Sequence, residues 1–351
     1  MSIRRIRELL SRMEVWSPHE APRLLIELTE EIGSLIDNLD TRISDLQAVL
    51  GAVDLGPHSS TLELLVRGLA DEFTLQTTRP PIGDATAAGD PIMSWREMAN
   101  ILAHGSDSPG IPDWVTPAFR QVTSILTQEG FPCIFARQAN YLKSGWVGFI
   151  EELDSDNGRE HAMKAILAYL AVLKRYPRER TIIMPLLLVV KPVYPMLTLH
   201  QYREQAWGLF NYLHAHDSEP WPIDVPTDPD RGDWSFCFNG IQLFSNVSDP
   251  AHKTHKSRNL GDSLTFAIQP RTNFDLVGGN NRKGWLVRKE IRERAERYEG
   301  RPIMNLGFYG TPENREWMQM ATKDSEHDVE YPKQCPFKFV KKDPPPKDPT
   351  K

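Results

Sequence analysis

The pair Asn239-Gly240 sits between two apolar runs of β character, 235–238 and 241–247. Both residues tolerate positive φ, so the pair dictates a tight hairpin. A chain committed to an antiparallel hairpin at this point cannot be all-helical. A further run, 264–268, precedes Pro270 and predicts another strand. Between these strands the chain delivers His252, Lys253, His255, Lys256 and Arg258. A sheet therefore leads into a polar loop with two imidazoles and three cations, and loops on rigid scaffolds are where binding and chemistry concentrate.

Upstream, the patterning is helical. Residues 1–76 place Ile3, Ile6, Leu9, Leu10 and Met13, then Leu24 through Leu39, at helical spacing. This region reads as an all-helical N-terminal bundle or dimer-forming arm, compatible with a homodimer, and no cluster in it resembles a catalytic site. Residues 77–114 are rich in Pro, Gly, Asp and Ser and read as a linker holding a short helix over 95–103. From 115 to 339, helical segments over 118–130, 159–176, 199–215 and 285–299 alternate with strand runs over 146–151 and 181–190. The expected fold class is α+β, with a mixed or mainly antiparallel sheet and flanking helices. The tail, 340–351, is Lys, Asp and Pro with no apolar anchor and reads as disordered.

Composition narrows the function classes. The 351 residues carry a formal net charge of −6, which disfavours a nucleic-acid binder. No run approaches the ~20 apolar residues of a membrane span. The start shows no signal-peptide core, and three cysteines form no CxxC, so a cytoplasmic location with reduced thiols is expected. Nucleotide-binding and hydrolase fingerprints are absent.

Four groups could carry chemistry. His252 and His255 could share one ligand, although the same pair also suits an exposed loop. Cys133, in Phe131-Pro132-Cys133, reads first as a small buried hydrophobe. As a thiolate it would need a compensating cation or metal, and Arg137 stands four residues on. His214, with His216 and Asp217, ends a helix, where a cationic imidazole also suits the dipole. Arg258 and Arg271, near Trp221 and Trp234, suit a carboxylate or a structural ion pair.

An ordered series of motifs adds to this. It runs Phe131-Pro-Cys-Ile-Phe-Ala-Arg137; Trp207 with Leu213-His214 and Asp217; Pro220-Trp-Pro222; and Trp234-Ser-Phe-Cys-Phe-Asn-Gly240. It continues with Ser248-Asp-Pro-Ala-His252, Ser257-Arg258, Gln269-Pro-Arg271 and Arg288-Lys-Glu-Ile-Arg-Glu-Arg294. It closes with Gly307-Phe-Tyr-Gly310, Glu313-Asn-Arg-Glu-Trp317 and Cys335-Pro-Phe337. In this series the chain resembles the YqcI/YcgG family over roughly 115–340. The resemblance implies a heme-dependent N-oxygenase, which hydroxylates a guanidine or amine nitrogen of an amino-acid-like substrate. It further implies heme b, O2 and an external electron donor, because no side chain oxidises an unactivated nitrogen.

Within that reading His252 is the expected axial ligand, with His214 and Cys133 as alternatives. Phe131, Phe135, Trp207, Phe236, Phe238 and Phe244 are candidates for the heme slot. Arg258 or Arg271 would hold a propionate or a substrate carboxylate, and Asp217 and Glu313 a guanidinium. Competing readings are a heme-binding sensor without turnover and a non-heme metal site of His252, His255 and Asp249.

Overall fold

Among the described residues, one sheet carries the fold. Its strands are β1 (Met93–Ser94), β2 (Trp146–Ile150), β3 (Leu186–Val190), β4 (Phe236–Phe238), β5 (Ile241–Ser248) and β6 (Thr265–Pro270), in the spatial order β1-β2-β3-β6-β5-β4. β2 and β3 pair in parallel, and every other neighbouring pair is antiparallel. The helices are α1 (Trp95–His104), α2 (Val115–Leu126), α3 (Ile134–Leu142), α4 (Asp156–Leu173), α5 (Arg178–Thr181), α6 (Leu199–His216), α7 (Asn273–Gly278), α8 (Arg282–Glu299) and α9 (Glu316–Met320). The fold is therefore α+β, with a mostly antiparallel sheet. This computed structural model describes residues 91–104, 111–278, 282–301 and 309–341. The chain divides into Met1–Ala85 and Thr86–Lys351. The helices expected over 1–76 lie outside the described residues. Among the described residues no helix is long and apolar enough to cross a membrane.

The hairpin forms as the turn chemistry requires. Asn239 and Gly240 take φ of 55° and 69°, and Phe238 pairs with Ile241 across them. The parallel pair needs a crossover, and α4 supplies it. Ser155 starts α4 by accepting the Gly158 amide at 3.0 Å.

Strand alternation sorts the core into two sides. On one side α1, α2 and α3 cover Val147, Leu187 and Val189, with Ala267 in register with Leu187. On the other, α6 puts Phe210 against Phe236 and Phe266, at ring centroids 5.1 and 5.9 Å apart. Phe266 lies in register with Leu188, one residue out of phase with the first set.

Several elements depart from the patterning. The expected strand over 181–190 is shortened to Leu186–Val190, and α5 occupies its start. Pro185 has no amide for a ladder, and its carbonyl instead accepts the Trp146 amide at 2.8 Å. α3 was not expected as a helix. The short helix expected over 95–103 inside the Pro/Gly-rich stretch is α1, and its Trp95 and Met98 are fully buried. The Trp95 indole donates to the Trp146 carbonyl at 2.9 Å, and its ring meets Phe119 edge-on. Gly145 lies against that ring, where a Cβ would collide with it. Trp95 thus ties α1 to both α2 and β2. Replacing it with Ala is expected to lower stability by about 3–5 kcal/mol, measured by denaturant unfolding of the full chain.

Candidate functional site

The loop after β5 crosses one end of the sheet from the α6 side to the α3 side. Two carboxylates fix its path. Asp324 accepts the amides of Lys253, Thr254 and His255 at 3.0, 2.8 and 2.8 Å. Glu299, the last residue of α8, accepts the amides of Lys256 and Ser257 at 2.7 and 3.0 Å, and the Ser257 hydroxyl at 2.6 Å. Burial alone would raise the Asp324 carboxyl, but the His255 and Thr254 amides bring it below the usual range. The loop that reads as a cluster of free cations is therefore a backbone nest around two anions.

His252 sits at the α6 side of this loop and is buried. Its Nδ1 lies 2.9 Å from Asp249 Oδ2, without the alignment of a hydrogen bond. Its Nε2 is 3.3 Å from the Thr322 carbonyl, which also accepts from Arg203 of α6 at 3.2 Å. Both ring nitrogens therefore face protein partners. The ring of His255 is centred 6.2 Å from that of His252 and turns toward Glu299 at 3.7 Å. Burial, together with the Arg258 charge, pushes His255 down to about 4. Among the described residues no group of three His, Cys, Asp or Glu side chains is arranged to hold a metal ion. The trio His252, His255 and Asp249 thus does not form a cage.

His214 is also engaged. It is buried on α6, and its Nε2 accepts the Val340 amide at 3.0 Å. Trp221, Phe337 and Phe339 pack around its ring. Asn211, one turn back, accepts the Lys338 amide and donates to the Pro336 carbonyl. Residues 336–340 are thereby strapped across α6, so Val340 is anchored rather than the start of a free tail.

Cys133 lies on the other side of the sheet. It caps the N-terminus of α3, and its Sγ accepts the Ala136 amide at 3.4 Å. Burial pushes its thiol up. The Ala136 and Phe135 amides and the Arg258 and Arg294 guanidinium groups pull the other way without winning. Arg258 bonds to Asn246 of β5, which lies in register with Ala267 and so faces this side. The Arg258 side chain keeps some exposed surface, but its guanidinium is enclosed. Burial lowers it to about 10, with Glu299, Cys133 and Tyr331 opposing, so it stays charged at neutral pH. Arg294 of α8 donates to the Phe131 carbonyl at 3.3 Å, and Phe131 meets the Tyr298 ring edge-on. Cys133, Arg258 and Asn246 thus lie together with Arg294 and Glu299 of α8. The helix N-terminus and two guanidinium charges oppose the effect of burial at this sulfur but do not outweigh it.

The remaining expected site residues are dispersed. Phe131 and Phe135 are buried near Cys133, whereas Trp207 and Phe238 are buried on the α6 side. No one apolar slot takes all four. Arg271 is held by Asp275 at 2.7 and 3.1 Å and by Gln242 at 2.8 Å, and its guanidinium lies 3.6 Å above the Tyr309 ring centroid. Asp217 receives the amides of Glu219 and Asn239 at 3.0 and 2.8 Å, so it anchors the hairpin. Glu313 is exposed. Three residues on, Glu316 is only 3% exposed, with one carboxylate oxygen unpartnered. Burial pushes it up to about 7, against the Arg271 charge and an Asn314 hydrogen bond. Nothing in the local sequence distinguishes the two glutamates, because burial is set by how α9 packs.

The chain matches the model of the YqcI/YcgG family over residues 122–338. It is 34% identical over 245 residues, 69% of this chain and 91% of the other, to DcsA of Streptomyces lavendulae, provisionally named an N(omega)-hydroxy-L-arginine synthase. Two uncharacterised proteins of Bacillus subtilis (strain 168) are similar as well. YcgG is 30% identical over 66% of this chain and 90% of its own length, and YqcI 32% identical over the same shares. No solved structure matches.

Glu316 provides a check on this geometry. From about pH 4.5 to 7 the folded chain holds a proton that the unfolded chain has released. The stabilisation is full below that window and is lost as pH rises through about 7. Glu316→Gln removes this dependence. The variant should gain on the parent between pH 5 and pH 8 by up to about 3 kcal/mol, read as the difference in unfolding free energy at the two pH values.

Proposed function

The chain belongs to the YqcI/YcgG family, and from that premise we propose that it N-hydroxylates a guanidine-bearing, arginine-like substrate with heme b as its cofactor. The observation that carries this reading is the 34% identity to DcsA across 69% of the chain. In such a reaction one oxygen atom of O2 enters an N–H bond as N–OH. The other leaves as water, taking two protons and two electrons from an external donor. Heme, when bound, supplies the O2 chemistry that side chains lack.

The residues fit the cofactor unequally. His252 and His214 each spend ring nitrogens on the protein. Among the described residues, the close partners of Cys133 Sγ are the Ala136 and Phe135 amides, with guanidinium charge nearby. On this argument Cys133, rather than His252, would hold the heme iron. Its thiol stays protonated while the site is purely protein, since burial outweighs the amides and cations. A bound metal cation would displace that proton. A thiolate there would supply electron density to the iron.

The other residues have separate tasks. Arg258 is held by Asn246 and charge-balanced by Glu299, so it is positioned to face an anionic group, a heme propionate or a substrate carboxylate. Phe131 and Phe135 exclude water from that side. Arg271, Asp217 and His252 hold structural contacts elsewhere in the fold.

Hemin titration of the full chain should give a Soret band that Cys133→Ala removes and His252→Ala and His214→Ala retain. The heme-loaded, reduced protein given L-arginine and O2 should form hydroxyarginine, detected by mass spectrometry. A Soret band unchanged in Cys133→Ala would overturn the ligand assignment. Absence of product from the fully loaded protein across arginine-like guanidines would overturn the activity.

A further inference from the structure

Beside Cys133 two guanidinium groups crowd each other. Arg294 reaches this side from α8, and Arg137 belongs to α3, one turn on from the Cys133 cap. Burial lowers the Arg294 guanidinium, and the nearby Arg137 charge lowers it further. Like charges on separate elements repel, so holding this pair together costs free energy.

The carboxylates at hand do not relieve that repulsion. Glu290 stands 3.9 Å from Arg294, but half of its side chain is exposed and it also faces Arg297 at 3.8 Å. A shared, solvated acid contributes little. Glu299 is committed to the Lys256 and Ser257 amides and to the Ser257 hydroxyl. Among the described residues no carboxylate lies within ion-pair distance of Arg137. The plainest account of Arg294 is structural, since its Nη2 donates to the Phe131 carbonyl at 3.3 Å. That bond leaves the buried Nε without a partner, and it does nothing for Arg137.

Arg258 adds a second cationic point on the same side. It is fixed to Asn246 of β5, and both it and Arg294 act on the Cys133 sulfur. Phe131 and Phe135 are buried close by. Cations anchored at two points beside apolar rings suit a ligand with an apolar body and two carboxylates, because each guanidinium fork matches one carboxylate. We propose that Arg294 and Arg137 form a second anion grip beside Cys133, which together with Arg258 selects a ligand bearing two carboxylates. The identity of that ligand rests on the heme reading, in which the two carboxylates are the propionates. Arg258 then holds one, and Arg294 with Arg137 the other.

Fluorescence titration of the full chain with metal-free protoporphyrin IX tests the grip without iron, and the dimethyl ester of the same porphyrin removes only the two charges. The parent should bind the free acid at least about tenfold more tightly than the ester, and R137Q/R294Q should lose most of that preference. Arg137→Gln alone should reduce it severalfold. Arg137 has no ion pair to lose, so this variant should keep the parent's circular dichroism, and it decides the matter if the double variant is unstable. No preference for the free acid in the parent, or an unchanged preference in Arg137→Gln, would overturn the grip. A hemin Soret band alongside either of those results would overturn the grip alone and leave heme ligation standing. A preference for the free acid that both variants weaken, without a Soret band from hemin, would support the grip and count against the heme reading.

Discussion

Five consecutive amides, from Lys253 to Ser257, donate to two carboxylates that lie far away in the chain. This arrangement governs the candidate site. The loop has no regular secondary structure before its short 3-10 turn, Lys256–Arg258, so its amides need acceptors. Asp324 and Glu299 supply them and draw the region after α9 and the end of α8 onto the sheet. With its backbone held, the loop can place the Arg258 guanidinium against Asn246 and within electrostatic reach of Cys133. Without the two carboxylates, a charged side chain would have to find its own place beneath α8.

The sheet separates two chemical environments. The α6 side holds both well-buried histidines in tight hydrogen-bonded or packed settings. The α3 side holds a capping cysteine among cations. The two imidazoles have the right chemistry for iron but no free nitrogen facing open space. The sulfur has amide donors and positive charge, a combination that stabilises an anion once one forms. The physical contrast between the two sides, more than residue type, separates the candidates.

The hairpin was legible because Asn239-Gly240 is a local signal, as were the helical periods of α4 and α6. Strand β3 was overextended because apolar content cannot distinguish a buried helical turn from a strand, and only Pro185 marks the break. α3 was missed because Cys133 is an unusual cap. The short helix over 95–103 was legible, but composition does not reveal that its Trp95 is covered by α2. The candidate site was half legible: Cys133 and Arg258 were identified as residues, but not as neighbours. Their proximity depends on Glu299 and Asp324, whose partners lie about 40 to 70 residues away in sequence. The same limit explains the choice of Glu313 over Glu316.

The strap over α6 has a practical consequence for anyone handling this polypeptide. Phe337 and Phe339 shelter the His214 and Trp221 rings, and the Val340 amide completes the imidazole. An affinity handle joined beyond Lys341 leaves this seal in place. One joined directly after Cys335 removes it, baring an oily stripe along the helix and a ring nitrogen without its donor. Such a shortened product would be prone to stick to itself, whatever its chemistry.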